Sequence, residues 1–491
     1  MTQGEVAGGG SGGFEHIIER ERGLRRDLSA GRMTMIAIGG AIGTGLFLGS
    51  GFAIGLAGPG VLLSYLIGAV IALLLMGCLA EMTVAHPTSG SFGAYAEHYI
   101  GPLAGFLVRY SYWTGNVLAV GTEVTAIALY MHFWFPSLPG WLPIVTFSAL
   151  LIALNARSVN VFGTVEYWFS TIKVIAIVLF IVLASYIVLR SPGALPAAGG
   201  AGGGAGAGAA TVGFHNYTAY GGFLPRGLWG VWIAVIIAIF SYFSIEMIAV
   251  AAGEAAQPEV AVSRAFRSTV IRLILFYLLT LALVLAIVPW TAAGLEESPF
   301  VKVMRALQVP GAAGIFNFVI LVAALSAMNS QLYITTRMMF SLSRAGHAPR
   351  RFGTLNRHGV PVRALLLSSF GIAVAAVLSV VAPKSAYLLM VSISAFGTMF
   401  AWFAIFVTHY RFRVARARCG APPLRFRMFG FPATTLLGAV LMAAVMLTSA
   451  FTDAFRMTLV FGLPFLGALT AAYWIRQRRG ARSALSSSEA A

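Results

Sequence analysis

Three ionisable side chains stand in stretches of sequence that otherwise suit a lipid bilayer. Glu123 lies in "AVGTEVTAIALY", Lys173 in "WFSTIKVIAIVLF" and Glu246 in "FSYFSIEMIAV". A charge at bilayer depth costs about 2.5–3.5 kcal/mol on insertion scales, so such residues point to proton or ion movement, or to an ion pair inside a helix bundle. Glu254 follows Glu246 by two turns, in "GEAAQPE", where the chain reads as leaving the membrane. Glu81 and Glu166 fall near the ends of apolar runs, where a solvated or capping role is expected. No nucleophile elbow, phosphate loop or zinc-protease motif occurs. His86, His98, His132 and His215 lack metal-pair spacing, and Cys78 and Cys419 form no disulfide framework. The reading is of a protein that is not an enzyme and needs no cofactor or metal.

A backbone feature accompanies these charges. "GGAIGTGLFLGSG" (39–51) holds six glycines in thirteen residues, and each glycine costs about 1 kcal/mol against alanine in a helix interior. Gly39 with Gly43, and Gly45 with Gly49, could serve close helix packing. A break in the helix is the alternative. Unwound backbone is tolerable in a membrane where it lines a cavity. A half-helix N-terminus there suits an anion and free carbonyls suit a cation. An amino acid zwitterion needs both, and Thr44 adds a hydroxyl between Gly43 and Gly45.

The elements that must position these groups are membrane helices. Of 491 residues, 58% are hydrophobic and 10% charged, against about 25% charged in a typical soluble chain. Twelve apolar runs are expected to span, at about 34–58, 61–84, 103–131, 140–156, 163–190, 228–252, 268–290, 313–343, 362–382, 386–408, 431–451 and 455–475. They do not alternate as barrel strands do. Residues 1–33 read as a cytoplasmic N-terminal segment, 34–475 as one transmembrane domain and 476–491 as a cytoplasmic tail. Residues 1–13 and 480–491 are expected to be disordered.

The net charge of +17 follows this topology rather than nucleic acid. Five Arg precede the first run, six lie between the tenth and eleventh and four lie in the tail, all cytoplasmic if both termini are. Anionic lipid is the partner this implies. The outer loop 191–227 contains a Gly/Ala spacer, Ala197–Ala210, and "NYT" at Asn216–Thr218, a weak glycosylation match. The first 30 residues lack a signal-peptide core, so the first run is expected to act as an uncleaved insertion signal.

Four stretches resemble a known family: "MIAIGGAIGTGLFLGSG" (35–51), "AEMTVAHPTSGSFGAYAEHYIGPLAGF" (80–106), "FSYFSIEMIAVAAGE" (240–254) and "LVAALSAMNSQLYITTRMMFSLSRAGHAP" (321–349). In order and across residues 20–475, they are similar to amino acid permeases of the amino acid–polyamine–organocation superfamily, in its amino acid transporter branch. The resemblance implies an all-α fold with a five-plus-five inverted repeat. The first and sixth helices would be broken at the midplane, with the eleventh and twelfth outside the core. It implies amino acid import across the cytoplasmic membrane by proton symport, with an exchanger or a non-transporting sensor as alternatives.

By the same resemblance, Gly43, Thr44 and Gly45 would meet the substrate carboxylate. Carbonyls around Ala41, Ile42, Phe240 and Phe243 would meet the ammonium, and the Phe240 ring would gate the pocket. Lys173 would sit between the first, fifth and eighth helices, where sodium-coupled relatives hold sodium. Burial disfavours an ammonium, so this one could release and regain a proton. Glu123, Glu246 and Glu254 complete the coupling candidates. The family usually has glycine where this chain has Ser244, which leaves the break point and the substrate open. Phe240, Phe243 and Ile245 favour a neutral substrate, while Glu123 or Glu246 could partner a basic side chain, so cationic substrates stay open. Oligomeric state is not readable.

Overall fold

The helices form where the apolar runs lie, and glycine and proline cut them. The computed structural model describes residues 12–21, 30–190, 193–194, 211–254, 258–292, 294, 297–306, 310–382, 385–422, 424 and 426–489. The first half holds α1 (Gly12–Arg20), α2 (Ala30–Ala41), α3 (Ser50–Ala57), α4 (Val61–Ala85), α5 (Ser91–Tyr99), α6 (Pro102–His132), α7 (Trp141–Arg157) and α8 (Val159–Arg190). A two-residue antiparallel pair follows, β1 (Gly193–Ala194) with β2 (Thr211–Val212), Gly193 facing Val212. The second half holds α9 (Gly227–Tyr242), α10 (Met247–Ala251), α11 (Pro258–Ile287), α12 (Pro299–Ala306), α13 (Ala312–Arg344), α14 (Val362–Ser368), α15 (Phe370–Val381), α16 (Ala386–Arg418), α17 (Ala433–Thr448) and α18 (Arg456–Glu489). The Ala197–Ala210 spacer lies outside the described residues.

Among the described residues, eight segments are long and apolar enough to cross a bilayer. One, Ile38–Ala85, runs for 48 residues, while about 20 suffice for a crossing. It reverses at Gly58, whose φ of +60° lies in the left-handed region that glycine alone enters freely; Pro59 follows, already fixed at a helical φ.

Burial grades from centre to edge. In the most apolar 18-residue window of Gly227–Glu254, 94% of residues are buried, against 17% in that of Arg456–Arg478. The last long helix is therefore peripheral, and the segment carrying Glu246 is central. α6 packs against α13 and α16, α9 against α3 and α4, and α2 against α8, α11 and α13. Large apolar side chains such as Leu179, Val182, Leu189 and Phe370 point outward on the spans, which in water would make a large adhesive patch and in lipid is the expected surface.

Beneath this bundle, α1 is strapped onto the loop and helix that follow α4. Phe14 and Ile17 are buried, Phe14 stacking on His86 with ring centres 4.2 Å apart. Arg20 holds Glu97 with two hydrogen bonds of 2.9 Å, and Arg109 donates to the same carboxylate at 2.6 Å and to Glu21 at 3.4 Å. Glu21 also accepts from Thr88, the Gly90 N–H and Ser341. Burial alone would raise the Glu97 carboxyl, but Arg20 and Arg109 hold it down at about 2. The expected disorder at 12–13 and 480–489 gives way to helix, in α1 and at the end of α18. For α1 the cause is tertiary, since its apolar residues dock. Most of the other residues at 476–489 are good helix formers (Ala, Arg, Gln, Leu).

The Asn216–Thr218 match does not describe a modified site. Asn216 is buried and its Nδ2 donates to the Ala286 carbonyl at 3.0 Å.

Candidate functional site

Two helices break in the centre of the bundle, side by side. The ladder of α2 ends at Ala41, Ile42 and Gly43 lie outside it, and the chain resumes as a π-helical turn over Gly45–Gly49 before α3. The interruption begins just N-terminal to the expected Gly43–Gly45. α9 ends at Tyr242, and Phe243–Glu246 form turns before α10. Ser244 there has φ +74°, a conformation that costs a residue with a Cβ about 1–2 kcal/mol.

Packing and breakage both use the glycines. A methyl on Gly39 would collide with Glu166 and Ser170 on α8. On Gly43 it would stand 2.8 Å from the Ala327 Cβ and 3.0 Å from Glu123 Oε1. The backbone therefore approaches both acidic side chains because it carries no Cβ there.

Between the breaks lies a cavity lined by Gly40, Ala41, Gly43, Gly45, Glu123, Phe240, Phe243 and Ser244, with Asn116, Gln331, Ser394 and Thr398 among the polar groups. It offers about 20 Å³ to the centres of water-sized molecules, little more than one water requires. An amino acid fits only if the surrounding helices part. Among the described residues Gln331 Oε1 is buried without a hydrogen-bond partner, the kind of group that calls for a polar ligand.

Each expected site residue has a definite place. The Thr44 N–H points at Glu123 Oε2 at 3.4 Å, so a carboxylate already faces the start of the second half of the broken helix. Lys173 Nζ donates to the carbonyls of Gly39 (2.5 Å) and Ile42 (3.0 Å) and to Ser326 on α13 (2.7 Å). It thus joins the break in α2 to α8 and α13. Glu246 accepts from Tyr112 (2.6 Å), Trp402 (3.1 Å) and the Ser244 N–H (3.3 Å), below the cavity floor. Ile42 and Thr44 contribute backbone and lie behind the lining. Glu254 stands apart, buried against Arg337 (2.8 Å) and Tyr333 (2.7 Å). The Phe240 carbonyl takes the Phe243 N–H at 3.2 Å.

Tyr277 on α11 occupies the place where the two breaks meet. Its hydroxyl lies 2.8 Å from the Ala41 carbonyl and 2.8 Å from the Ser241 carbonyl. On the opposite side, Tyr387 donates to the Thr44 carbonyl at 3.3 Å. No motif reading singled out either tyrosine.

Two expectations fail. Glu166 and Glu81 are wholly buried, not solvated. Glu166 accepts from Ser326 and from Asn329 (2.8 Å), because α2 and α13 cover the face of α8 on which it lies. Its spacing with Ser170 and Lys173, at i, i+4 and i+7, marks one helical face and was the available signal. Glu81 accepts from His409 (3.1 Å), Arg413 (2.8 Å) and the Met428 N–H (2.8 Å); the far end of α16 and the loop after it cover it.

A family model described as amino acid permease matches residues 32–482. The gamma-aminobutyric acid permease of Bacillus subtilis (strain 168) is 37% identical over 462 residues, covering 94% of this chain and 95% of that protein. The putative histidine permease of the same strain is 37% identical, covering 90% of this chain and 91% of its own. The aromatic amino acid transport protein AroP of Escherichia coli (strain K12) is 36% identical, covering 86% and 89% respectively.

Proposed function

The chain belongs to the amino acid permease family of the amino acid–polyamine–organocation superfamily, a multi-pass membrane transporter and not an enzyme, and from that premise we propose proton-coupled import of amino acids with uncharged side chains. Its substrates are amino acids by kinship. The cavity between the two breaks is the proposed binding site. Twelve crossings with both termini in the cytoplasm, and a five-plus-five repeat with α17 and α18 outside it, are the proposed frame. The loaded positive residues at 20–32, 411–427 and 476–482 and the peripheral burial of α18 support it. The single domain 34–475 is part of the same proposal.

The observation that carries the coupling is Lys173, which occupies the break with an ammonium where a metal cation would need oxygen ligands. The ligand set is two carbonyls and a hydroxyl, with no carboxylate in ion-pair contact among the described residues. The proton is proposed to leave and return there. Glu123 acts at the other side of the cavity. A substrate carboxylate reaching the Thr44 N–H meets Glu123, and two anions at one helix terminus repel. Its arrival therefore favours neutral Glu123, so substrate and proton travel together. Glu246 would support the second break through Ser244. A neutral substrate follows from the lining, where Glu123 is the one carboxylate among the described residues and already faces backbone.

The test is uptake into proteoliposomes with an imposed proton gradient. Accumulation should collapse with an uncoupler and should not require preloaded amino acid. Uptake that depends on internal substrate would identify an exchanger, and binding without counterflow a sensor. Competition by the twenty amino acids then names the substrate.

A further inference from the structure

A second cavity, of about 420 Å³, opens where α16 ends and the chain turns toward α17. That volume is within the range of small-molecule sites. Arg413, Arg416 and Arg427 line it, with Glu81 the one carboxylate among its described residues. Glu81 is already satisfied by His409, Arg413 and the Met428 N–H. It therefore leaves Arg416 and Arg427 uncompensated. Arg416 donates to the Pro422 carbonyl, and neither it nor Arg427 meets a carboxylate among the described residues.

The Arg413 guanidinium stands over the Phe431 ring at 4.9 Å and that of Arg416 over Phe412 at 5.7 Å. A guanidinium presents a planar donor edge, which matches the oxygens of a phosphate in a bidentate way. The surroundings identify what carries the phosphate. Phe429 is 73% exposed, and Leu436, Leu437 and Val440 on the adjoining turns of α17 also face outward. Such a surface is covered by acyl chains when the span lies in a bilayer. The basic cavity and the apolar face are contiguous in the chain, so a head group in one places its tails along the other.

We infer that this cavity binds the phosphate head group of an anionic phospholipid. A free phosphate would engage the same guanidiniums but would gain nothing from the apolar face, so the two sources separate experimentally. Purified full-length protein in neutral detergent is incubated with phosphatidylglycerol, phosphatidylcholine or inorganic phosphate, and retained lipid is counted by native mass spectrometry. Phosphatidylglycerol should be retained about tenfold over phosphatidylcholine, and excess inorganic phosphate should not displace it. The double variant Arg416→Gln/Arg427→Gln should cut that preference to about twofold or less. Equal preference in wild type and variant overturns the site, and displacement by inorganic phosphate overturns the lipid as its occupant. If the double variant is not monodisperse, Arg427→Glu, at an exposed position, carries the same expectation, and unchanged retention there overturns the inference.

Discussion

Arg109 and Glu123 lie fourteen residues apart on α6, about 21 Å along the helix. At Arg109 every charge is answered by an opposite charge: Arg109 and Arg20 on Glu97, and Arg109 on Glu21. At Glu123 the opposite holds. Lys173 meets two carbonyls and a hydroxyl, and Glu123, Glu166 and Glu246 meet amide, hydroxyl and indole donors. Guanidinium cannot release its proton in a protein, and removing one partner of a buried pair strands the other charge. The first cluster therefore resists change. In the second, hydrogen-bonding dipoles rather than opposite charges answer each group among the described residues. One helix thus carries a lock of ion pairs at one end and a set held by dipoles at its middle.

The comparison breaks most sharply at Lys173. Lys173→Ala should reduce gradient-driven accumulation at least about tenfold while counterflow persists. Lys173→Arg imports the logic of the lock, a cation that never titrates, and should bind substrate without accumulating it. Accumulation by either variant at the wild-type level would remove Lys173 from coupling.

Glu97→Gln attacks the other cluster. It leaves Arg109 with the longer Glu21 contact as its one ion pair among the described residues and should lower stability by about 3 kcal/mol, read as a lower unfolding midpoint in detergent, with the pH profile of uptake unchanged. The sign of its pH dependence is fixed by the depressed Glu97 carboxyl. Its contribution is complete above the ordinary value of 4.5 and is lost as pH falls toward about 2. Hydrogen exchange in residues 12–21, corrected for intrinsic rates, should therefore not change between pH 8 and pH 5. Release of α1 in that window would place another group in charge of the strap.

Glu123→Gln should flatten the pH profile of uptake by a few-fold, on the order of the loss of one general proton site. An unaltered profile returns Glu123 to a structural role. The smallest effect belongs to Ser244→Gly. Glycine enters the left-handed region without the Cβ penalty but has more freedom to lose, so stability should rise by about 1 kcal/mol or less. A fall would mean that the serine hydroxyl contributes more than its strain costs.

Much of the candidate site is visible in the sequence because it violates its surroundings. Gly43, Lys173 and Ser244 are conspicuous against apolar neighbours, and the structure puts the interruptions at or beside them. Glu166 and Glu81 are misread because distance along the chain to a run's end says nothing of which other helices lie across it. Tyr277 and Tyr387 carry no signal at all, since a tyrosine in an apolar run looks like any aromatic until its hydroxyl is seen against a freed carbonyl. The strap α1 was partly readable, as Phe14, Ile17 and Ile18 share one helical face. Its anchors, Glu97 and Arg109, come from far along the chain.

A hydroxyl has one hydrogen, and Tyr277 sets that hydrogen between the Ala41 and Ser241 carbonyls. The two half-helices are thereby joined like two doors sharing a single bolt. Tilting either one withdraws the bolt or drags its neighbour along, so the halves move in a correlated way rather than at random. Random motion would sometimes leave a passage ajar at both faces of the membrane, and a passage open at both faces is a leak.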